Sequence, residues 1–224
     1  VSLKEDLARR DFTVNALAYS IKDQNIVDLY EGIDDLKAKR LKTVGDPHER
    51  FNEDALRMMR AVRFAAQLGF VIDGATMTAI TEHAELLKKI AIERIAAEFL
   101  RIIDSPEPMQ GIIFLEKLGM LELFIPELRE GIGCEQGGIH AFDVFEHNVR
   151  TMQAAADKEY STHMRIAGLF HDIAKPATRR EGGKNKRYTF FGHEVVGARM
   201  TKKILERLKM PRELTDQVVN LVRW

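Results

Sequence analysis

From residue 50 onward, apolar side chains recur at helical spacing. Leu56, Met59, Val62, Phe64 and Leu68 fall at i, i+3, i+4 and i+7-type positions, and Gly69 closes the run. Similar patterning predicts helices over 74–89, 92–104 and 109–118, each punctuated by Gly, Pro or Ser. Asp104-Ser105-Pro106 and Phe124-Ile125-Pro126 read as breaks, because a residue before proline avoids the helical region. Helical stretches resume over 142–158 and 161–175. A charged loop, 179–187, then leads to a last helical pair over 192–209 and 211–224. One short run alternates differently: Ile26-Val27-Asp28-Leu29-Tyr30 is the clearest strand candidate, and Glu31-Gly32 is its turn signal. The Gly-rich segment 129–140 is the expected boundary. The pattern predicts a mainly α fold with a β remnant at the start.

Composition narrows this picture little. The chain has 224 residues, 45% hydrophobic and 30% charged, with a formal net charge of zero. That is an ordinary globular composition. No stretch approaches the roughly 18 apolar residues of a membrane span, and the charged start VSLKEDLARRDF is no signal segment. A single cysteine, Cys134, excludes an internal disulfide and reads as a small, partly buried residue. A cytoplasmic setting is expected. The charge is unevenly spread: twelve Lys/Arg against three acids lie between Lys175 and Arg212. That block reads equally as a phosphate-attracting patch or as a solvated face.

The first candidate chemistry lies in Glu53-Asp54-Ala55-Leu56-Arg57-Met58-Met59-Arg60-Ala61-Val62-Arg63. Residues three apart on a helix sit about 60° apart around its axis, so Asp54, Arg57, Arg60 and Arg63 would form a slowly turning polar ridge. An Asp acceptor beside Arg forks can satisfy a base edge and reach a phosphate. The same spacing equally describes an amphipathic helix with its arginines in water.

A second segment, Arg9-Arg10-Asp11-Phe12-Thr13-Val14-Asn15-Ala16, resembles the RRDFTxNA motif of the class II tRNA nucleotidyltransferase (CCA-adding enzyme) and poly(A) polymerase family. Further matches follow in that family's order: Asp28 to Leu36 with its linking motif, Glu53-Asp54-Ala55-Leu56-Arg57 with its EDxxR element, and Glu93-Arg94-Ile95 with Glu98-Phe99. The resemblance implies the end of a head and its linking motif over 1–42 and a helical neck and body over 43–130. It implies that Arg10 contacts the nucleotide, that Asp54 and Arg57 pair with the base of CTP or ATP, and that Arg60 and Arg63 complete the pocket. Asp11 and Asn15 would support the pocket and ribose side. The partner implied is the tRNA acceptor end. The family's Gly-rich loop and the carboxylate pair that hold Mg²⁺ lie before this motif and are not in the sequence; Asp34-Asp35 does not replace them. A fragment is therefore expected, one that selects a nucleotide without polymerising it.

The third pattern is His147, then His171-Asp172 with Lys175, then Gly192-His193-Glu194. Imidazole and carboxylate together suit Mn²⁺, Ni²⁺, Fe²⁺, Zn²⁺ or Mg²⁺. The ordered set resembles the HD superfamily of metal-dependent phosphohydrolases, which implies a helical HD domain over 131–224. By that resemblance His147, His171 and Asp172 are metal ligands, with His193 a further ligand or a phosphate-side residue. Lys175 would meet substrate phosphate, and His140 and Asp143 would line the site. The superfamily's last Asp has only Asp216 as a candidate, and a truncated domain is expected. His48, His83 and His163 have no partner nearby in sequence. Two other readings stay open: a stand-alone HD phosphohydrolase acting on nucleotides, and a non-catalytic tRNA-binding fragment.

Overall fold

The computed structural model describes residues 2–137, 141–182 and 188–224. Its first part is α1 (Leu3–Ala8), a 3₁₀ turn (Thr13–Asn15), the antiparallel pair β1 (Leu17–Ser20) and β2 (Asn25–Asp28), α2 (Gly32–Lys37) and β3 (Arg40–Leu41). Ser2 opens α1 with a reciprocal cap to Glu5. The strand expected at 26–30 is β2, displaced slightly, because Asp28 bends the chain by accepting the backbone N–H groups of Tyr30, Gly32 and Ile33. Buried Asp35 accepts from the Thr13 hydroxyl at 2.7 Å and from Arg40 Nε at 2.6 Å, so it is a structural tie.

α3 (Pro47–Glu53), α4 (Leu56–Leu68), β4 (Val71–Ile72), α5 (Gly74–His83) and a 3₁₀ turn (Ala84–Lys89) follow, then α6 (Ile92–Ile103) and α7 (Pro108–Lys117). β3 and β4 run parallel, and Thr13 N–H donates to Lys42 O, stitching the first segment to the neck. Gly69 ends α4 in the left-handed conformation the sequence anticipates, with φ 64°. The expected 74–89 helix tightens into 3₁₀ geometry after His83. His48 and His83 do find each other, with ring nitrogens 3.1 Å apart across α3 and α5.

A 3₁₀ turn (Leu121–Leu123) and α8 (Pro126–Arg129) lead to α9 (Val144–Asp157), α10 (Thr162–Phe170), α11 (Lys175–Thr178), the short antiparallel pair β5 (Arg180–Glu181) and β6 (Tyr188–Thr189), α12 (His193–Arg207) and α13 (Arg212–Arg223). One apolar core runs from Phe12 to Val222 and does not stop at the Gly-rich segment. Arg165 on α10 donates to the carbonyls of Ile103 and Ser105, and Gln153 on α9 reaches Pro106 O and Met109 N–H. These bonds satisfy backbone groups left open at the end of α6 and the start of α7. The fold is mainly α, as the patterning predicts.

Candidate nucleotide cleft and candidate metal centre

The stretch 53–63 is not one continuous helix. α3 stops at Glu53 and α4 starts at Leu56, so Asp54 stands in extended backbone, φ −148°, between them. The ridge expected from spacing therefore lacks its first member. Asp54 Oδ1 accepts the Leu56 N–H at 3.0 Å, and its Oδ2 accepts from Arg94 Nη2 on α6 at 3.0 Å. Arg57 is held from three sides: Nη1 donates to Glu53 Oε2 and Arg50 O, and Nη2 donates to Arg9 O. Arg60 Nε meets Asp11 Oδ2 at 2.5 Å, while Asn15 Nδ2 donates to Asp11 Oδ1 at 2.6 Å. Arg10 pairs with Asp6 at the surface. These residues line a cleft of about 310 Å³ formed by Arg9, Arg10, Asp11, Asn15, Asp54, Leu56, Arg57, Arg60 and Arg94.

Arg63 is not in that cleft. Two three-residue steps from Arg57 rotate it about 120° around α4, which turns it into the core against α6. There Nε donates to Glu98 Oε2 at 2.6 Å and Nη1 to Gln67 Oε1 at 2.9 Å, and the guanidinium lies over the Phe64 ring. Sequence spacing also missed Arg94 and Arg9 as lining residues. Arg94 lies 40 positions beyond Asp54, so no local period could join them.

Asp11 is buried. Burial disfavours its charge, but hydrogen bonds from Arg60 and Asn15 and the Arg60 charge outweigh it and hold the carboxyl below 3.8. A depressed folded pKa gives stability that is present above the unfolded value and lost as pH falls through the folded one. Unfolding midpoints should therefore drop below about pH 4. In Asp11→Asn this part of the acid limb should flatten; denaturant titrations at pH 6 and pH 3 read the difference.

The second site forms where α9, α10 and α12 meet. α10 delivers His171 at its end, the following turn carries Asp172, and Lys175 opens α11. His171 Nδ1 faces Gly168 O at 2.9 Å, and His193 Nδ1 faces Phe190 O at 2.8 Å. A carbonyl only accepts, so in the neutral ring each Nδ1 carries the proton and each Nε2 a lone pair. His147 Nε2 and His171 Nε2 lie 3.1 Å apart, and they are 3.4 and 3.2 Å from Asp172 Oδ2. Two nitrogens and one carboxylate oxygen, all within 4.8 Å of one another, could hold a metal ion. His193 stands apart from that trio, with Nε2 3.3 Å from the other carboxylate oxygen, Oδ1. Lys175 Nζ donates to Asp172 Oδ2 at 2.6 Å and to Gln136 Oε1 at 2.6 Å. Burial opposes the Asp172 charge, yet hydrogen bonding and charge from the imidazolium form of His171, then from Lys175, hold its carboxyl far below the usual range.

Asp143 caps α9 through the Glu146 N–H and also accepts from Gly133 N–H, so it is a structural cap. His140 lies outside the described residues. Asp216 is exposed on α13, 3.6 Å from Arg212, and does not join the cluster. Gln136, buried beneath Lys175, was invisible at a separation of 39 residues.

Three family models match the chain in order. A poly A polymerase head domain covers residues 1–42, a probable RNA and SrmB-binding site of polymerase A covers 69–132, and an HD domain covers 144–224. The chain is 39% identical over 229 residues to the A-adding tRNA nucleotidyltransferase of Deinococcus radiodurans, an alignment taking in 99% of this chain and 52% of that protein. Along its whole length the chain resembles part of a tRNA nucleotidyltransferase. It is also 37% identical to the CC-adding tRNA nucleotidyltransferase of Thermus thermophilus, over 99% of this chain and 52% of that protein. With the CCA-adding enzyme of Levilactobacillus brevis it shares 55% identity over 53% of this chain and 30% of the other. The chain thus spans about half the length of the full-length family members it matches end to end. In fold it is similar to the Bacillus stearothermophilus CCA-adding enzyme in complex with CTP (TM-score 0.62, 24% identity, 99% of this chain and 46% of that one). A tRNA-processing enzyme in an apo form gives TM-score 0.67 at 22% identity, over 97% of this chain and 56% of that one.

Proposed function

We propose that this chain is the nucleotide-selecting and RNA-contacting portion of a tRNA nucleotidyltransferase that adds CCA, from CTP and ATP, to the tRNA acceptor end. The observation that carries the reading is the cleft in which Asp54 and Arg57 share one wall with Arg9, Arg10 and Arg60. A carboxylate acceptor and guanidinium forks offer a base edge complementary partners, and the remaining cations face where phosphates would lie. Arg57 is held by the Arg9 carbonyl, so the segment bearing Arg10 and the helix bearing Arg57 keep fixed relative positions. The family's polymerising chemistry uses Mg²⁺ in the head, and a cytoplasmic setting accords with this reading. Among the described residues, no helix is long and apolar enough to cross a membrane.

The test uses Asp54→Asn. An asparagine keeps Oδ1 for the Leu56 N–H but replaces Oδ2 by an amide donor. Cytosine N4 and adenine N6 place an amino group where uracil O4 and guanine O6 place a carbonyl. The variant is expected to lose CTP and ATP affinity by about 10-fold or more and to gain UTP or GTP binding, since one misplaced buried polar group costs about 1–3 kcal/mol. Calorimetric titration with the four triphosphates measures this; an unchanged preference sinks the reading.

A second activity is supported by the metal centre: phosphoester hydrolysis at His147, His171 and Asp172. The donor set fits a divalent ion among Mn²⁺, Ni²⁺, Fe²⁺, Zn²⁺ and Mg²⁺, which when bound would supply Lewis acidity toward a phosphate. Lys175 and His193 hold cationic or proton-donating groups at the rim, beside a cavity of about 380 Å³ also lined by Phe190 and Phe191.

A further inference from the structure

Asp54 divides its two oxygens between different duties. Oδ1 accepts the Leu56 backbone N–H in the turn that leads into α4, and this bond can persist with a ligand in place. Oδ2 is the oxygen free of that duty, and it is taken by Arg94 from α6. The Arg94 side chain is 52% exposed and that of Asp54 34%, so the pair sits at the cleft surface, where such pairs hold weakly and exchange readily. Arg94 lines both the nucleotide cleft and a neighbouring cavity of about 460 Å³ formed by Asn52, Glu53, Leu86, Lys89 and Ile90, among others. It therefore has a place to swing into when it leaves Asp54.

We infer that Arg94 is a specificity-determining residue that competes with the base for Asp54 Oδ2. The inference rests on the reading that Asp54 faces the base. A base with an amino group at the exocyclic position of cytosine N4 or adenine N6 can replace the Arg94 donor on that oxygen. A base presenting a carbonyl there cannot, and Arg94 stays. CTP and ATP thus bind at the expense of an internal ion pair, and the affinity observed is the intrinsic one reduced by the fraction of clefts in which the pair is open.

The experiment is calorimetric titration of the full chain with CTP, ATP, UTP and GTP, on the unaltered protein and on Arg94→Gln, Arg94→Lys and Asp54→Asn. An exposed pair limits the gain to about 5-fold. The expected result is CTP and ATP bound about 3- to 5-fold tighter by Arg94→Gln, a smaller gain for Arg94→Lys, and no gain for UTP and GTP. CTP and ATP affinities that stay level or fall in Arg94→Gln overturn the inference, a fall meaning that Arg94 itself touches the ligand. If Asp54→Asn shifts base preference while Arg94→Gln gives no tightening, only the role of Arg94 fails. If Asp54→Asn shifts nothing, or the unaltered chain binds none of the four, the reading of the cleft fails and the inference with it.

Discussion

Replacing Arg63 by alanine should cost the protein about 3–5 kcal/mol, the range for stripping one partner from a buried ion pair. In a chain of this size that lowers the melting temperature by roughly 10 °C. Both side chains are almost fully buried, 10% exposed for Arg63 and 6% for Glu98. Burial, then the charges of Arg60 and Arg101, push the Arg63 guanidinium toward losing its charge, and the facing Glu98 carboxylate offsets part of that. Truncating Arg63 leaves Glu98 in the interface of α4 and α6 with only the more exposed Arg101 as a cationic partner. Gln67 also loses its donor, and Phe64 its stacked cation. The double variant Arg63→Met/Glu98→Leu removes both charges and should regain most of the loss, because apolar replacements of a buried pair are often neutral or better. Urea midpoints of the three variants check this. If Arg63→Ala costs under about 1 kcal/mol, the pair is behaving as a surface pair would.

The second large effect concerns the metal centre. Asp172→Ala should weaken binding of Mn²⁺ or Ni²⁺ at least 100-fold, beyond the 10- to 100-fold typical of losing a mere supporting partner. Asp172 is the only carboxylate in the described trio and the group on which His147, His171, His193 and Lys175 all converge. The reverse effect is expected at Lys175, whose ammonium already occupies the Oδ2 that a metal would use. Lys175→Met removes that competitor and should tighten metal binding severalfold. Titration calorimetry with each ion reads both variants. Equal metal affinity in Asp172→Ala and the unaltered protein would show that the ion sits elsewhere.

How much of this was legible beforehand depended on the range of the signal. The long helices announced themselves through apolar spacing, because each buries one stripe and the period is local. The break at Asp54 did not, since Glu53 to Arg63 reads as an unbroken helix; the side chain of Asp54 captures the Leu56 N–H and restarts the helix there. Arg63 looked like its neighbours Arg57 and Arg60, and only the position of Glu98, 35 residues on, marks it as buried. β1 is too short to stand out and gains its extended form from pairing with β2. In the metal centre, His147, His171, Asp172, His193 and Lys175 were all visible as a motif. What the motif could not convey is that the three imidazoles divide between the two oxygens of Asp172, two on Oδ2 and one on Oδ1.

The hydrogen bonds from Arg165 and Gln153 to the backbone between α6 and α7 have a consequence for how the molecule works. They splice the helices bearing the metal centre onto the turn that ends the cleft helix, with a shared core beneath. The span between nucleotide cleft and metal centre is then that of a stiff ruler, not of two beads on a string. On the function proposed above, an RNA end held at one could not be handed to the other by hinging; it would have to travel.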